Sequence, residues 1–415
     1  MSELKICNDL VSIIIPCFNG EKYVACILEA LLKQTYENIQ IIFVDDGSYD
    51  NTRSIYEKYS KRFEKKQIKN KYLYQDNKGQ AEAINNALKY VEGEFLMWID
   101  SDDYVEDNHI EKKVKCLKDN PDCQLVRCEG RIVDDTNKEI GKIKNVFLSH
   151  SHFLDILLGY NSCTGGLYMV RSNEFFEIFT DRKIISSKAG QNIQMLIPLI
   201  NRYKTCYLNE EIFTYLEHED SHSHQYNTLL KMESRIQQVY LLRDNILKSI
   251  RNQLTYNQNL LLCSLISKKK LIEQLNTILN AEFCSYYNEF IESVIKKYVD
   301  SFNKKPDFKL NYWIWGFTER TRKLAAYLFK YSGIVIKGFL DSDIKKQNKK
   351  TVFTLGELDL DSDYILIPIN FYQDIIKQLN RANLKIGKDY SYINYEILRN
   401  MNMYEKSRNC NLSIC

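Results

Sequence analysis

The chain has 415 residues, 44% hydrophobic and 27% charged, with 57 Lys+Arg against 54 Asp+Glu and a net charge of +3. This is ordinary globular usage with length for two or three domains, which excludes a disordered, collagenous or coiled-coil chain. The near balance of charge gives no electrostatic case for a nucleic-acid partner.

The start, Met1-Ser2-Glu3-Leu4-Lys5, is polar and lacks the apolar segment of a signal peptide. No apolar run reaches the ~18 residues of a membrane span. The 12 cysteines are scattered without a Cys-x-x-Cys pair. They are expected to be reduced, mostly buried thiols, and the chain to be cytoplasmic.

The first hundred residues alternate between two periods. Val11–Ile15 is a β-branched run ending at Pro16, and Val24, Ile27, Leu28 and Leu31 then recur at helical spacing. Ile39–Val44 is a second buried strand, Asn51–Lys66 a charged helix, and Tyr72–Gln75 a third strand. Ile84, Ala87, Leu88 and Val91 mark a helix face, and Phe95–Ile99 is a fourth strand. Strand–helix repetition with near-continuous apolar strands predicts a mostly parallel sheet with flanking helices. Ligands of such sheets bind beyond the carboxyl ends of the strands. Three of those ends are distinctive: Pro16-Cys17-Phe18-Asn19-Gly20, Asp45-Asp46-Gly47-Ser48 and Asp100-Ser101-Asp102-Asp103.

From Asn227 to Asp300, Leu, Ile and Tyr recur at helical spacing with almost no Gly or Pro, which predicts a hairpin or small bundle. Ser301–Asp307, with Pro306, reads as a linker. Strands are then expected at Tyr312–Trp315, Ile334–Leu340, Tyr364–Ile369 and Tyr390–Ile393, forming a small Rossmann-like unit. The expected layout is residues 1–226, a helical segment 227–305, an α/β unit 306–398 and a loose polar tail 399–415. In the α/β unit Trp315-Gly316-Phe317-Thr318-Glu319-Arg320-Thr321 stands where a Gly-x-Gly-x-x-Gly turn would be, and two of its three glycines are missing. Packing or partner binding is expected there rather than dinucleotide binding.

Asp100-Ser101-Asp102 places two carboxylates just past a buried strand. Hard oxygen ligands of this kind suit Mg²⁺ or Mn²⁺, which keep positions open for phosphate oxygens. The tripeptide alone is unspecific, because Asp-Ser-Asp recurs at 341–343 and 361–363 and Asp103 can instead cap the following helix. Its context is specific. Val11–Asn19 resembles the opening strand of the family 2 glycosyltransferases. Val44-Asp45-Asp46-Gly47-Ser48 with Asp50 and Thr52 resembles their second motif. Asn77-Lys78-Gly79-Gln80 with Ala83 and Asn85 resembles their third, and Asp100–Asp103 their metal-binding motif. All four stand in the family's order, and the resemblance covers about residues 10–224.

The resemblance implies the GT-A fold, a nucleotide-binding half followed by an acceptor-binding half. It also implies inverting transfer of a sugar from a nucleotide-sugar donor, UDP-linked as first choice. Pro16, Phe18, Asn19, Asp46, Gly79 and Asp100 are then the expected nucleotide-binding residues. Phe18 offers a stacking face, Asp46 an acceptor for the uracil imide, and Gly79 opens a helix whose amides face an anion. Asp102 is the expected metal ligand, and His218 joins it from the closing Tyr215…His218-x-x-Ser221 pattern. Thr164 and Gly165, in Asn161–Met169, resemble the acceptor-side loop. The other histidine pairs, His150/His152 and His222/His224, are expected to face solvent.

One departure stands out. Many family members carry Glu-Asp on a helix, the Asp deprotonating the acceptor hydroxyl. Here the stretch is Gly190-Gln191-Asn192-Ile193-Gln194, and an amide is no general base. Gln191 is expected to orient the acceptor, with Glu217, Glu219 or Asp220 taking the proton. The expected activity is transfer to a glycan, a lipid-linked molecule or a protein in surface-glycan synthesis, by a cytoplasmic enzyme that can sit at the inner membrane face or in an assembly complex. Two rivals remain. A nucleotidyltransferase should carry a Gly-rich basic loop after its first strand, absent here. A catalytically impaired binding or scaffold protein of the same fold would bind nucleotide without releasing product.

Overall fold

The computed structural model of the chain describes residues 6–145, 152–187, 190–218, 228–280, 288–302, 310–316 and 318–341, then short stretches and single positions between 352 and 407. The chain divides into two compact units, 1–224 with 241–252, and 225–240 with 253–415.

In the first unit the elements run β1 (Cys7–Cys17), α1 (Val24–Leu32), β2 (Ile39–Asp45), α2 (Thr52–Lys65), β3 (Lys69–Tyr74), α3 (Gln80–Leu88) and β4 (Gly93–Trp98). They continue with β5 (Tyr104–Val105), α4 (His109–Asp119), β6 (Leu125–Val133), β7 (Glu139–Ile143), α5 (His152–Leu157), β8 (Tyr168–Arg171), α6 (Ser172–Ile178), α7 (Gln191–Arg202) and β9 (Thr205–Leu216). The strands form one sheet in the order β3-β2-β1-β4-β8-β6-β9-β5, with β7 beside β6. β3, β2, β1 and β4 are mutually parallel. β8 runs against both β4 and β6, and β9 runs parallel to β6. β9 therefore points the same way as β1 and β4, although it lies across the sheet from them.

Sequence pattern explains these strands. Ile13, Ile14 and Ile15 of β1 and Ile41, Ile42, Phe43 and Val44 of β2 are fully buried, with α3 packed against both strands. Each such side chain removed from water contributes roughly 1.5–3 kcal/mol. Ser12, a buried polar residue beside them in β1, is satisfied by Gln40 Oε1 at 2.6 Å and by the Gly93 N–H. β1 does not stop at Pro16 as expected but runs on to Cys17. Beyond Ile14 it pairs with β2 alone, so a missing N–H is tolerated there.

The second unit holds helices and a second sheet. α8 (Leu229–Ser249) lends its residues from 241 onward to the first unit, and α9 (Tyr256–Asn280) and α10 (Asn288–Asp300) follow. Then come β10 (Asn311–Trp315), α11 (Glu319–Ser332), β11 (Ile336–Leu340), β12 (Val352–Phe353), β13 (Asp363–Leu366) and β14 (Tyr390–Ser391). These five strands are parallel, in the order β12-β11-β10-β13-β14. Trp313, Trp315, Leu340, Ile365 and Ile367 centre its core. Toward the C-terminus, where the composition is polar, Met401 and Tyr404 are nonetheless helical and buried. Among the described residues, no helix is long and apolar enough to cross a membrane.

Nine described cysteines are free thiols; Cys17, Cys123 and Cys128 are buried, while Cys26 and Cys263 are exposed. His152 corrects an expectation, for it is buried rather than solvent-facing. Its Nε2 lies 3.2 Å from the Tyr168 hydroxyl, which also accepts from Arg127 Nε. Burial and the Arg127 charge push the imidazole down to about 3. His150, His222 and His224 lie outside the described residues.

A buried neutral imidazole makes stability depend on pH. The unfolded ring binds its proton near pH 6.5 and the folded ring only near 3, so this contribution is complete above 6.5 and is lost as pH falls toward 3. Between pH 7 and 5 it removes about 2 kcal/mol. His152→Gln should therefore lose about 2 kcal/mol less than wild type over that interval, measured by urea unfolding at both pH values. Equal losses would contradict a buried neutral His152.

Candidate active site

Strand polarity assembles the site. β1, β2 and β4 end at one sheet edge and deliver Phe18, Asp46 and Asp100–Asp103 there. β9 ends at the same edge, followed by His218, while antiparallel β8 begins there, preceded by Thr164 and Gly165.

Each loop is held by named contacts. Asp46 is buried and accepts from Lys78 N (2.9 Å), Gly79 N (2.8 Å) and Gln75 Nε2 (2.8 Å). Its carboxylate thus locks the loop before α3, and the Gly79 amide, expected to face an anion, is directed at Asp46. Asp45 likewise accepts from Ser48 N and the Tyr72 hydroxyl. Gly47 has φ +81°, and a Cβ there would lie 2.7 Å from Asn77 N, so only glycine fits between the two loops. Asn19 joins the first two motifs, its N–H donating to Ser48 Oγ and its Oδ1 accepting from Tyr49 N. Phe18 is 46% exposed and Tyr49 85% exposed, their rings edge to face at 6.0 Å. Pro16 is buried within β1.

The acidic turn beyond β4 comes next. His218 Nε2 lies 3.0 Å from Asp102 Oδ2, and the imidazole is buried and stacked on Tyr23 at 4.3 Å. Residues 116 positions apart in sequence are so brought together. Asp100 accepts from Gln80 Nε2. Burial, reinforced by the Asp102 charge, raises its carboxyl to about 7 against the lowering effect of Gln80. Asp103 is fully buried and also well above the usual carboxylate range, from burial and then from Asp102 and Asp100. It does not cap α4 as the sequence allowed. It accepts from Leu216 N at 3.2 Å and so ties the acidic turn to the strand end that leads to His218.

The acceptor-side loop rests on buried polar groups. Gly165 faces Trp98, where a Cβ would lie 2.7 Å from the ring and 2.8 Å from the carbonyl oxygen. Lys113, wholly buried, donates to Gly166 O at 2.7 Å, and burial lowers its ammonium to about 8. The Thr164 hydroxyl pairs with that of Ser162. Gln191 opens α7 and donates through Nε2 to Gln80 Oε1, while the neighbouring Asn192 accepts from Trp98 Nε1 at 2.7 Å. Gln80, Tyr23 and Lys113 were given no role from sequence, and Asp103 was read only as a motif member or a helix cap. Gln80 stands inside a recognised motif, but the partners of all four are distant in the chain. Asp220 and Glu219 lie outside the described residues.

The donor set fits a divalent cation in kind. Asp102 and His218 converge, and Asp100 and Asp102 repel each other without a cation between them. Among the described residues no third His, Cys, Asp or Glu completes a protein cage. That pattern suits Mg²⁺ or Mn²⁺ bound through one or two protein ligands plus phosphate oxygens.

Asp46→Asn replaces one accepting oxygen by an amine that confronts N–H donors. A buried donor left unmatched costs roughly 1–3 kcal/mol. The variant should lose that much stability in urea and exchange the Lys78 and Gly79 amides faster. Unchanged stability and protection would show that Asp46 does not hold this loop.

Residues 12–176 match the family model described as Glycosyl transferase family 2. An uncharacterized glycosyltransferase of Rickettsia typhi is 36% identical over 139 residues, covering 33% of this chain and 41% of that protein. Glycosyltransferase GlyG of Streptococcus pneumoniae is 40% identical over 105 residues, covering 25% of this chain and 34% of that one. The chain therefore spans less than half the length of these relatives. A crystal structure of S. aureus TarS in complex with UDP-GlcNAc aligns with a TM-score of 0.48 at 18% identity, over 69% of this chain and 83% of that one. The four motifs, their convergence on one sheet edge and the family match agree: residues 12–176 carry a glycosyl transferase family 2 domain match.

Proposed function

We propose that the chain is an inverting, divalent-cation-dependent glycosyltransferase. It would move a sugar from a nucleotide-sugar, UDP-linked as first choice, to a glycan, lipid-linked or protein acceptor in surface-glycan synthesis, on the cytoplasmic side of a membrane or within an assembly complex there. The observation that carries this reading is the meeting of Asp102 with His218 at the edge where the family's four motifs gather.

In this reading Phe18 stacks on the base, with Asn19 and the Asp46-locked loop shaping the pocket around it. Asp102 and His218 hold the cation, Tyr23 keeps the imidazole turned toward Asp102, and Asp103 holds the strand end behind it. When bound, the cation supplies charge neutralisation for the departing diphosphate. Thr164, Gly165 and the start of α7 border the acceptor. The acceptor oxygen forms its bond to the anomeric carbon as the bond to the diphosphate oxygen breaks on the opposite face, and the hydroxyl proton passes to a carboxylate. We assign that proton to Glu217, Glu219 or Asp220, since Gln191 has no basic group. General-base help of this kind is worth ~10²–10⁴-fold. The layout with divisions at 226, 305 and 398 is part of this proposal, and the second sheet is read as a packing or partner-binding unit.

One observation favours the rival, a nucleotide-binding protein without transfer: the family's base position holds an amide already engaged by Gln80. Calorimetry with UDP-, GDP- and dTDP-sugars in Mn²⁺, followed by product analysis, decides between them. One donor should bind, and at ~100 times its dissociation constant should stabilise the protein by about 2.7 kcal/mol. Asp102→Asn should keep the fold, by circular dichroism, while weakening Mn²⁺-dependent binding at least tenfold. Binding without product would favour the rival, and cation-independent binding by wild type would remove the metal assignment.

A further inference from the structure

We propose that Gln80 is a positioning residue whose hydrogen-bond polarity requires an amide, not a carboxylate, at position 191. The inference deepens the reading given above and rests on it for the identity of the donor site.

Gln80 and Gln191 each open a helix, α3 and α7. Gln191 Nε2 donates to Gln80 Oε1, and Gln80 Nε2 donates to Asp100 Oδ1. The chain has a direction in the structure, running from the Gln191 amide through Gln80 to an oxygen of Asp100. Gln80 must turn its amine to Asp100, so it can offer position 191 nothing but a carbonyl oxygen. Position 191 must then supply a donor. An Asp or Glu there has no proton to give and would add a third negative charge beside Asp100 and Asp102. The missing base is thus coupled to the residue that steadies Asp100.

The surroundings fix this arrangement. Asn192 is held by the indole N–H of Trp98, at the end of the strand that carries Asp100. Gln194 grips the backbone of Ile185 twice, accepting from its N–H at 2.7 Å and donating to its carbonyl at 2.9 Å. Asn85 grips Ile184 the same way, accepting at 2.7 Å and donating at 3.1 Å. The start of α7 is therefore pinned at three polar side chains, Gln191, Asn192 and Gln194. Among the described residues the Gln191 carbonyl oxygen accepts no hydrogen bond. It can receive one from an acceptor hydroxyl and aim it without deprotonating it.

The test uses the full chain, with melting temperature and the affinity for UDP in Mn²⁺ as readouts. Gln191→Glu should melt several degrees lower and bind UDP at least fivefold more weakly. Adding Gln80→Lys, which can donate to both carboxylates, should bring the double variant back to within twofold of wild-type affinity and recover most of the melting temperature. Wild-type behaviour of Gln191→Glu, or a sharp gain in turnover, would overturn the proposal, as would a failure of Gln80→Lys to rescue. Should Gln191→Glu not fold, Gln80→Met and Gln191→Met form a cycle. Either change breaks the same chain, so the double variant should melt little lower than the worse single one. Additive losses would count against coupling. If wild type binds no nucleotide at all, the functional reading fails while the melting temperatures still judge the relay.

Discussion

Everything at this site follows from crowding carboxylates at one sheet edge. Asp45, Asp46, Asp100, Asp102 and Asp103 lie at or beyond the ends of two strands that flank β1, and three of them are buried. Ionised carboxylates in such surroundings need donors or opposite charge. Asp45 and Asp46 find backbone amides, a hydroxyl and an amide side chain within neighbouring loops. Asp103 finds the backbone of β9 through one oxygen only, its other oxygen being buried without a partner among the described residues. Asp100 meets Gln80 and Asp102 meets His218, at the turn where a cation would sit. The network around Asp45, Asp46 and Asp103 also shapes the loops around these two.

Much of the first sheet was legible because parallel strands are buried on both faces and read as unbroken apolar runs. The edge was legible because its turns carry Gly, Asn and Asp at fixed places. The mostly antiparallel half was harder. β9 is half-buried or exposed along its first seven residues and buried mainly toward its end, and its value lies in where it ends. His218 was suggested by a family pattern, but its contact with Asp102 depends on β9 running parallel to β6. Buried polar residues outside the motifs escaped. His152 stands next to a polar stretch and reads as exposed, yet Tyr168 and Arg127 give it a place in the core. Lys113 reads as part of a charged helix face, yet its ammonium supports the Gly166 turn. Long-range partners of this kind leave no local trace.

The second sheet shows why a short acidic motif is weak evidence. Asp363 ends the same tripeptide as Asp102. Here it opens a strand, buried, accepting from Asn311 Nδ2 and Asp359 N, so it joins β13 to its surroundings rather than facing a ligand. The turn after β10 uses Gly316 at φ +94° and caps α11 with Thr318 and Thr321 in a reciprocal pair. That closes the helix start with side chains in place of the glycine-rich approach a dinucleotide needs. Strand order alone, shared by many nucleotide-binding sheets, does not transfer the function.

The central claim is that the acidic edge of the first sheet, and not the second sheet, receives the nucleotide. The most direct measurement is a crystal structure with UDP and Mn²⁺ bound. Density for the base beside Phe18, with the cation on Asp102 and His218, is the predicted result. A nucleotide seated at the Gly316 turn of the second sheet, with the first edge empty, would contradict the account.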